Sequence, residues 1–348
     1  MPDGWESREV LEPANDDGTR TFDDEGDLEV LRTWRAMCPE LQGRWPEAAQ
    51  PEDWRGVKWE NGRVVELELE GFGLIGALPA EIGRLNALST LNLTSNKLRS
   101  LPAEIGQLTS LRRLELSSNQ LTSVPAEIGL LTSLRQLHLI CNQLTSVPAE
   151  IGQLTSLKEL SLAGTELRSL PAEIWQLTSL EVLELQNNHL TSVPAEIGQL
   201  TSLRELHLGG NWRLTSVPAE IGQLTSLQVL DLSRNQLTSA PAEIGQLASL
   251  TELFLHDNQF TSVPAEIGQL TSLRELRLGG NQLTSVPSEI GQLTSLKELW
   301  LFDNRLTSVP AEMGQLTSLK KLYLRDNLLT SVPTVVRELR AAGCTVGW

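Results

Sequence analysis

Hydrophobic positions recur along most of this chain in one pattern, L-x-x-L-x-L-x-x-N-x-L, as at Leu111, Leu114, Leu116, Asn119 and Leu121, followed by Val124, Pro125, Ile128 and Leu131. Copies begin at Leu88, Leu111, Leu134, Leu157, Leu180, Leu203, Leu227, Leu250, Leu273, Leu296 and Leu319, a step of 23 residues and once 24. Val64, Leu67, Leu69 and Leu74 form a weaker copy at the front. A fixed period of this length marks stacked supersecondary units. The 348 residues are therefore read as one long α/β repeat solenoid rather than two or three separate domains.

Within a unit the alternation has period two: Leu114 and Leu116 point one way, Arg113, Glu115 and Ser117 the other. That predicts a short strand. Pro125 fixes φ and opens a brief helical turn through Ala126, Glu127 and Ile128, which Gly129 is expected to close. Burial of one unit's apolar side chains does not offset the entropy of ordering its backbone, so units must stack and pair strands edge to edge. The recurring Asn is the side chain able to hydrogen-bond turn backbone that would otherwise be buried unpaired. Thr165 replaces it once, keeping a donor and an acceptor.

These residues carry a strong resemblance. From about residue 62 to 340 the chain resembles a leucine-rich-repeat protein, and its L-P/V-P-x-E-I-x-x-L half is similar to the intracellular class typified by Ras-pathway scaffolds and related plant intracellular proteins. The resemblance implies a horseshoe with a concave parallel β-sheet, short helical turns on the convex side, and a role in binding proteins. At the front, "DLEVLRTWRAM" and "DWRGVKWENGRVVELEL" resemble the N-terminal cap of plant receptor-type leucine-rich repeats, with Trp54 and Trp59 flanking the second stretch. The cysteine pair that such caps usually carry is not present.

The expected organisation is a disordered acidic leader over 1–26, an N-terminal cap over 27–62, about twelve repeats over 63–332 and a C-terminal cap over 333–348. Leu28 to Met37 reads as an amphipathic helix covering the open apolar end of the first repeat. Val335, Val336 and Leu339 share one helical face that would close the last.

While the turn segment is nearly constant, the outward strand positions vary. The central column runs Glu68, Asn92, Glu115, His138, Ser161, Glu184, His207, Asp231, Phe254, Arg277, Trp300, Tyr323, and the column beside it ends in His256, Gly279, Phe302 and Arg325. The chain has only one Tyr and five Phe. Tyr323, Phe254 and Phe302 nonetheless fall on outward positions of the final four repeats, together with Trp300, Arg277, Arg325 and His256. Aromatic and Arg side chains dominate interface hot spots, so these seven residues are the expected partner-binding site. Gly279 and Gly280 are expected to leave a notch beside Phe302. Two departures lie elsewhere: Trp212 occupies the inserted position after Asn211, and Trp175 replaces a turn glycine. Each reads as a tolerated irregularity packed on its own surface, with a small secondary contact as the alternative.

Other chemistry is weighed against this reading. Glu115, His138 and Ser161 stand on successive strands about 4.8 Å apart, acid, base and nucleophile in order. An open polar sheet offers no visible oxyanion hole or nucleophile elbow, so no catalysis is expected. His138, His207 and His256 are too far apart to share a metal, and no phosphate-cradling glycine motif occurs; neither metal nor cofactor is expected. The net charge of −16 disfavours nucleic acid and anionic membrane as partners. Acidity concentrates in residues 1–70, with 19 acidic and 8 basic side chains. Arg112, Arg135, Lys158, Arg204, Arg274, Lys297 and Lys320 form a lane where the strands start, and the neighbouring Glu159, Glu205, Glu275 and Glu298 are expected to neutralise it. Cys38, Cys141 and Cys344 are odd in number and far apart, which reads as free thiols. "MPDGWESREV" lacks the basic start and apolar core of a signal peptide. The resulting expectation is a monomeric cytoplasmic adaptor for a protein partner, with a receptor-like ectodomain for a peptide or glycan as the alternative.

Overall fold

A computed structural model of the protein describes residues 25–348. All but the last two positions of the expected leader lie outside the described residues.

Fourteen strands form one sheet running the length of the molecule. The first pair, Val57–Glu60 with Arg63–Glu68, is antiparallel, with an irregularity between Lys58 and Trp59. Each later strand joins its predecessor in parallel, from Thr90–Asn92 to Thr345–Gly347. Most are three residues long, because only the x-L-x core of each repeat is extended before the chain turns away. The register steps by one repeat without slipping: Phe254 lies beside Arg277, Arg277 beside Trp300, Trp300 beside Tyr323. The sequence columns are thus physical rows across neighbouring strands. Behind the sheet the repeat leucines and isoleucines form one continuous buried core.

The return path is a 3-10 turn. Pro125, at φ −67° and ψ 152°, precedes Ala126–Leu130, and the turn ends at Leu131 rather than at Gly129. Gly129 has a steric role instead: a Cβ placed there would stand 2.5 Å from the Glu150 carbonyl oxygen of the next repeat. The same clearance recurs at Gly83, Gly106, Gly222 and Gly245. Glycine at this position lets consecutive turns touch.

The conserved geometry of the inner turn rests on asparagine. Asn119 is buried; its Oδ1 accepts from Leu98 N–H at 3.0 Å, and its Nδ2 donates to the carbonyls of Leu93 at 2.9 Å and Leu116 at 3.0 Å. Asn142, Asn258, Asn281 and Asn304 repeat this pattern. The Thr165 hydroxyl stands 3.0 Å from Leu162 O and 2.7 Å from Asn188 Oδ1, so its single proton serves one of them at a time. The inserted residue after Asn211 disturbs one link: Leu214 N–H donates to Asn211 O, and Asn235 Oδ1 is left buried without a partner.

At the front, α1 (Glu25–Met37) and α2 (Pro39–Gln42) cover the first repeat. Val30, Leu31 and Trp34 are buried, and Trp45 stacks on Trp54 at 5.2 Å while meeting Trp34 edge-on at 6.0 Å. Buried Asp27 accepts from Arg63 Nε at 3.0 Å and from Val64 N–H at 2.9 Å, joining α1 to the sheet. At the far end α3 (Thr334–Ala341) buries Val335, Val336 and Leu339. Several elements were not anticipated from sequence, among them the antiparallel strand Val57–Glu60 of the cap, the final strand Thr345–Gly347, and a two-stranded sheet of Ile75–Ala77 with Lys97–Ser100.

Candidate functional site

The seven expected site residues come together on the last four outward rows. Arg277 lies between two rings, its guanidinium carbon 4.6 Å from the Phe254 centroid and 5.1 Å from that of Trp300, while its Nε donates to Glu275 Oε1 at 2.6 Å. Trp300 and Tyr323 are tilted against each other at 4.3 Å, and Phe302 meets Trp300 edge-on at 6.1 Å. Arg325 stands over Phe302 at 5.3 Å, and His256 meets Phe254 at 6.5 Å. The aromatics are half-buried and Arg325 is exposed. The notch expected at Gly279 is absent, because the Phe302 ring fills it: a Cβ on Gly279 would lie 2.6 Å from Phe302 Cε1.

Two polar atoms in this cluster are buried without a partner, Trp300 Nε1 and His256 Nδ1. The Trp300 N–H has no acceptor in good hydrogen-bond geometry, yet it stands near enough to contribute to holding the Glu298 carboxylate below its usual range. The larger cause there is the hydrogen bond from Lys321. Burial holds the His256 imidazole below its ordinary value of 6.5; Asp257 and Asp231 oppose the shift, and Arg277 and Arg234 reinforce it.

The Glu115, His138 and Ser161 row is an ion-pair network. His138 Nδ1 lies 2.9 Å from Glu115 Oε2 and Nε2 lies 3.5 Å from Glu159 Oε2, so carboxylates take both ring nitrogens, while Ser161 is only 3% exposed. Burial alone would raise the Glu115 pKa, but hydrogen bonds from His138 and Arg113 outweigh it and hold the carboxyl below its ordinary 4.5. The hydrogen bond to Glu115 raises His138 above 6.5 against the opposing effect of burial.

The two histidines therefore titrate on opposite sides of 6.5. His138 contributes stability that is complete below pH 6.5 and lost as pH rises through its raised value, whereas the Glu115 contribution is present above pH 4.5 and lost as pH falls through its lowered value. The pair is strongest between about pH 4.5 and 6.5. Protonation of His256 acts the other way, weakening the fold as pH drops below 6.5. In an NMR titration His138 is expected above 6.5 and His256 below it, and Glu115→Gln should bring His138 down. A His138 midpoint unmoved by that substitution would remove the network from the account.

Neutralisation of the basic lane is only partial. Lys158 and Arg204 both pair with Glu181, whereas Glu159, Glu205, Glu275 and Glu298 face His138, His207, Arg277 and Lys321. Strand residues next to the lane take these carboxylates at short range: His207 and Arg277 stand two positions along the same strand, Lys321 lies directly opposite Glu298, and His138 reaches Glu159 diagonally. Arg112, Arg135 and Lys158 line a shallow groove with Ser133 and Ser156. The three cysteines are free; burial is the main cause that pushes the Cys38 thiol up to about 11. Among the described residues no helix is long and apolar enough to cross a membrane.

Trp175 is a correction of another kind. It does not pack on the outside: only 3% of it is exposed, and it belongs to the core. Trp212 is 49% exposed, with Arg213 over its ring at 4.5 Å and His189 edge-on at 5.9 Å.

Comparison with known proteins places these features in a family. The Leucine-rich repeat region profile matches residues 66–162, 145–253 and 208–281, and a Leucine rich repeat profile matches 271–329. Among solved structures, a leucine-rich-repeat protein of Leptospira interrogans is 37% identical, covering 79% of this chain and 81% of its own, with a TM-score of 0.55. The ectodomain of the Arabidopsis receptor kinase HAESA, in complex with an N-terminal extended IDA peptide hormone, is 31% identical over 86% of this chain and 53% of its own, with a TM-score of 0.74. This chain thus spans about half the length of that receptor chain. An internalin of Listeria monocytogenes, 23% identical over 92% of this chain and 94% of its own, shares the fold with a TM-score of 0.64.

Proposed function

The chain belongs to the leucine-rich-repeat family, and from that premise we propose that it is a non-catalytic adaptor that takes a segment of a protein partner on the C-terminal third of its concave sheet. One observation carries the placement: Phe254, Arg277, Trp300, Phe302 and Tyr323 form a continuous half-buried aromatic and guanidinium surface on adjacent strands. Such side chains present large area at low entropic cost, which is why they anchor interfaces. Three free thiols support a reducing, cytoplasmic setting.

A receptor-like role for an extracellular peptide is the second reading. It is favoured by the likeness to a hormone-bound receptor ectodomain and by the tryptophan-rich cap. Both readings use the same face. Hydrogen exchange of the complex with a partner captured from native extract tests it: protection is expected at residues 252–256, 275–279, 298–302 and 321–325. Protection confined to the strands between Glu68 and Ser161 would place the site elsewhere.

A further inference from the structure

The stack of return turns has one break, and it opens a cleft. Every other complete turn carries glycine where this one carries Trp175, and where another 3-10 turn follows in regular stacking there is no room for a side chain: a Cβ on Gly152 would stand 2.6 Å from the Glu173 Cβ, and one on Gly268 would meet the backbone of Glu289. An indole at this position therefore cannot coexist with the regular stack. It is buried all the same, so the following turn, Ala195–Gln199, is displaced. Pro194 shows the displacement at φ −80° and ψ 165°, where Pro148 and Pro171 have φ −69° and −65° with ψ 150° and 146°. Pro194 and Glu196 are exposed, while Pro171, Pro218, Glu173 and Glu220 in the flanking turns are half-buried.

The space this opens is a cavity of about 300 Å³ on the convex side. Leu170, Trp175, Leu185, Leu190, Val193 and Pro194 line it, with Ser169, Ser192 and Glu196 at its polar margin. Dry cavities of roughly half that size, lined by aliphatic and aromatic side chains, hold small apolar groups. The mouth has a definite charge. Glu196 stands at its margin and Glu173 lies in the turn that carries Trp175, and neither forms an ion pair among the described residues.

We propose that this cleft is a second binding site, separate from the concave face, and that it takes an apolar side chain from a basic peptide segment of a partner protein. The apolar wall receives the side chain, and the unneutralised glutamates of the turns receive its Lys or Arg neighbours. Trp175 acts as the wedge that keeps the site open.

The test uses synthetic decapeptides with the full chain: one with a central Leu-Phe pair flanked by lysines, one with the same pair flanked by glutamates, and one with Ala-Ala between lysines. Binding is read by fluorescence anisotropy of a terminal label. The lysine-flanked Leu-Phe peptide is expected to bind at least tenfold more tightly than the other two. Trp175→Gly restores the glycine of the other turns, so it should fold and melt no lower than the parent while losing at least tenfold in affinity. Glu196→Lys, at an exposed position that cannot unfold the chain, should weaken binding several-fold. The concave pair Trp300→Ala with Tyr323→Ala should leave peptide affinity unchanged, which separates this site from the one above. Equal affinity of Trp175→Gly and the parent, equal binding of the glutamate-flanked peptide, or no saturation at millimolar peptide would each overturn the proposal.

Discussion

Asn119→Ala is expected to destabilise the chain by about 2 to 3 kcal/mol, a large effect for a single polar side chain. Its side chain satisfies the Leu98 N–H and the Leu93 and Leu116 carbonyls, all within buried backbone. Alanine strands the Leu98 N–H, a buried group that costs roughly 1 to 3 kcal/mol when unpaired, and takes one of two donors from each carbonyl, Asn96 Nδ2 staying on Leu93 O and Asn142 Nδ2 on Leu116 O. Neighbouring repeats cannot relax to recover them, because their own asparagines hold the same spacing. Position along the ladder sets the scale. Asn327 in the last repeat is only half-buried, so water can replace its bonds and Asn327→Ala should cost about 1 kcal/mol. Asn235→Ala should fall between, since Asn235 Oδ1 has no partner to lose. Urea denaturation followed by circular dichroism measures all three. Equal losses at Asn119 and Asn327 would show that the ladder is not what holds the inner turns.

Partner capture should collapse when Trp300→Ala and Tyr323→Ala are combined, by about 2 kcal/mol or more for each ring, or roughly thirtyfold each. The two rings lie tilted against each other at 4.3 Å and Trp300 also contacts Arg277 and Phe302, so removing both exposes the floor of the cluster. Folding depends on them far less. They lie on the outward side of a sheet whose inner leucines are intact, and an aromatic pair contributes about 0.5 to 1.5 kcal/mol beyond its area. The melting temperature should therefore move little. Glu68→Ala with Glu184→Ala, on half-buried or exposed positions of the same rows, is the control and should weaken capture less. Glu115 is unsuitable for that purpose because it is buried between Arg113 and His138. If the aromatic pair lowers stability and leaves capture intact, these rings serve the sheet and the binding site lies on other rows.

How much of this was legible in the sequence depended on range. Repeat length, strand positions, the inward leucines and the bonding role of Asn119 follow from spacing alone, because in a stacked solenoid each residue meets its counterpart one repeat away. The same regularity makes Phe254, Arg277, Trp300 and Tyr323 readable as one row from spacing alone. The role of the turn glycine was misjudged for the opposite reason. A local rule makes Gly129 a stop signal, but its function is to clear the Glu150 carbonyl of the next turn, a contact no single repeat contains.

The sequence by itself determined the architecture and the outward columns, since periodic burial leaves one arrangement in which every unit shares its apolar faces with two neighbours. Only the tertiary structure decided what happens where the period breaks. It showed Phe302 filling the space above Gly279, the carboxylates beside the basic lane pairing with neighbouring strand residues instead, and Trp175 entering the core and forcing the next turn outward. These outcomes are settled by which side chain reaches a shared space first and by what the close-packed stack can displace, and neither quantity is written in residue spacing.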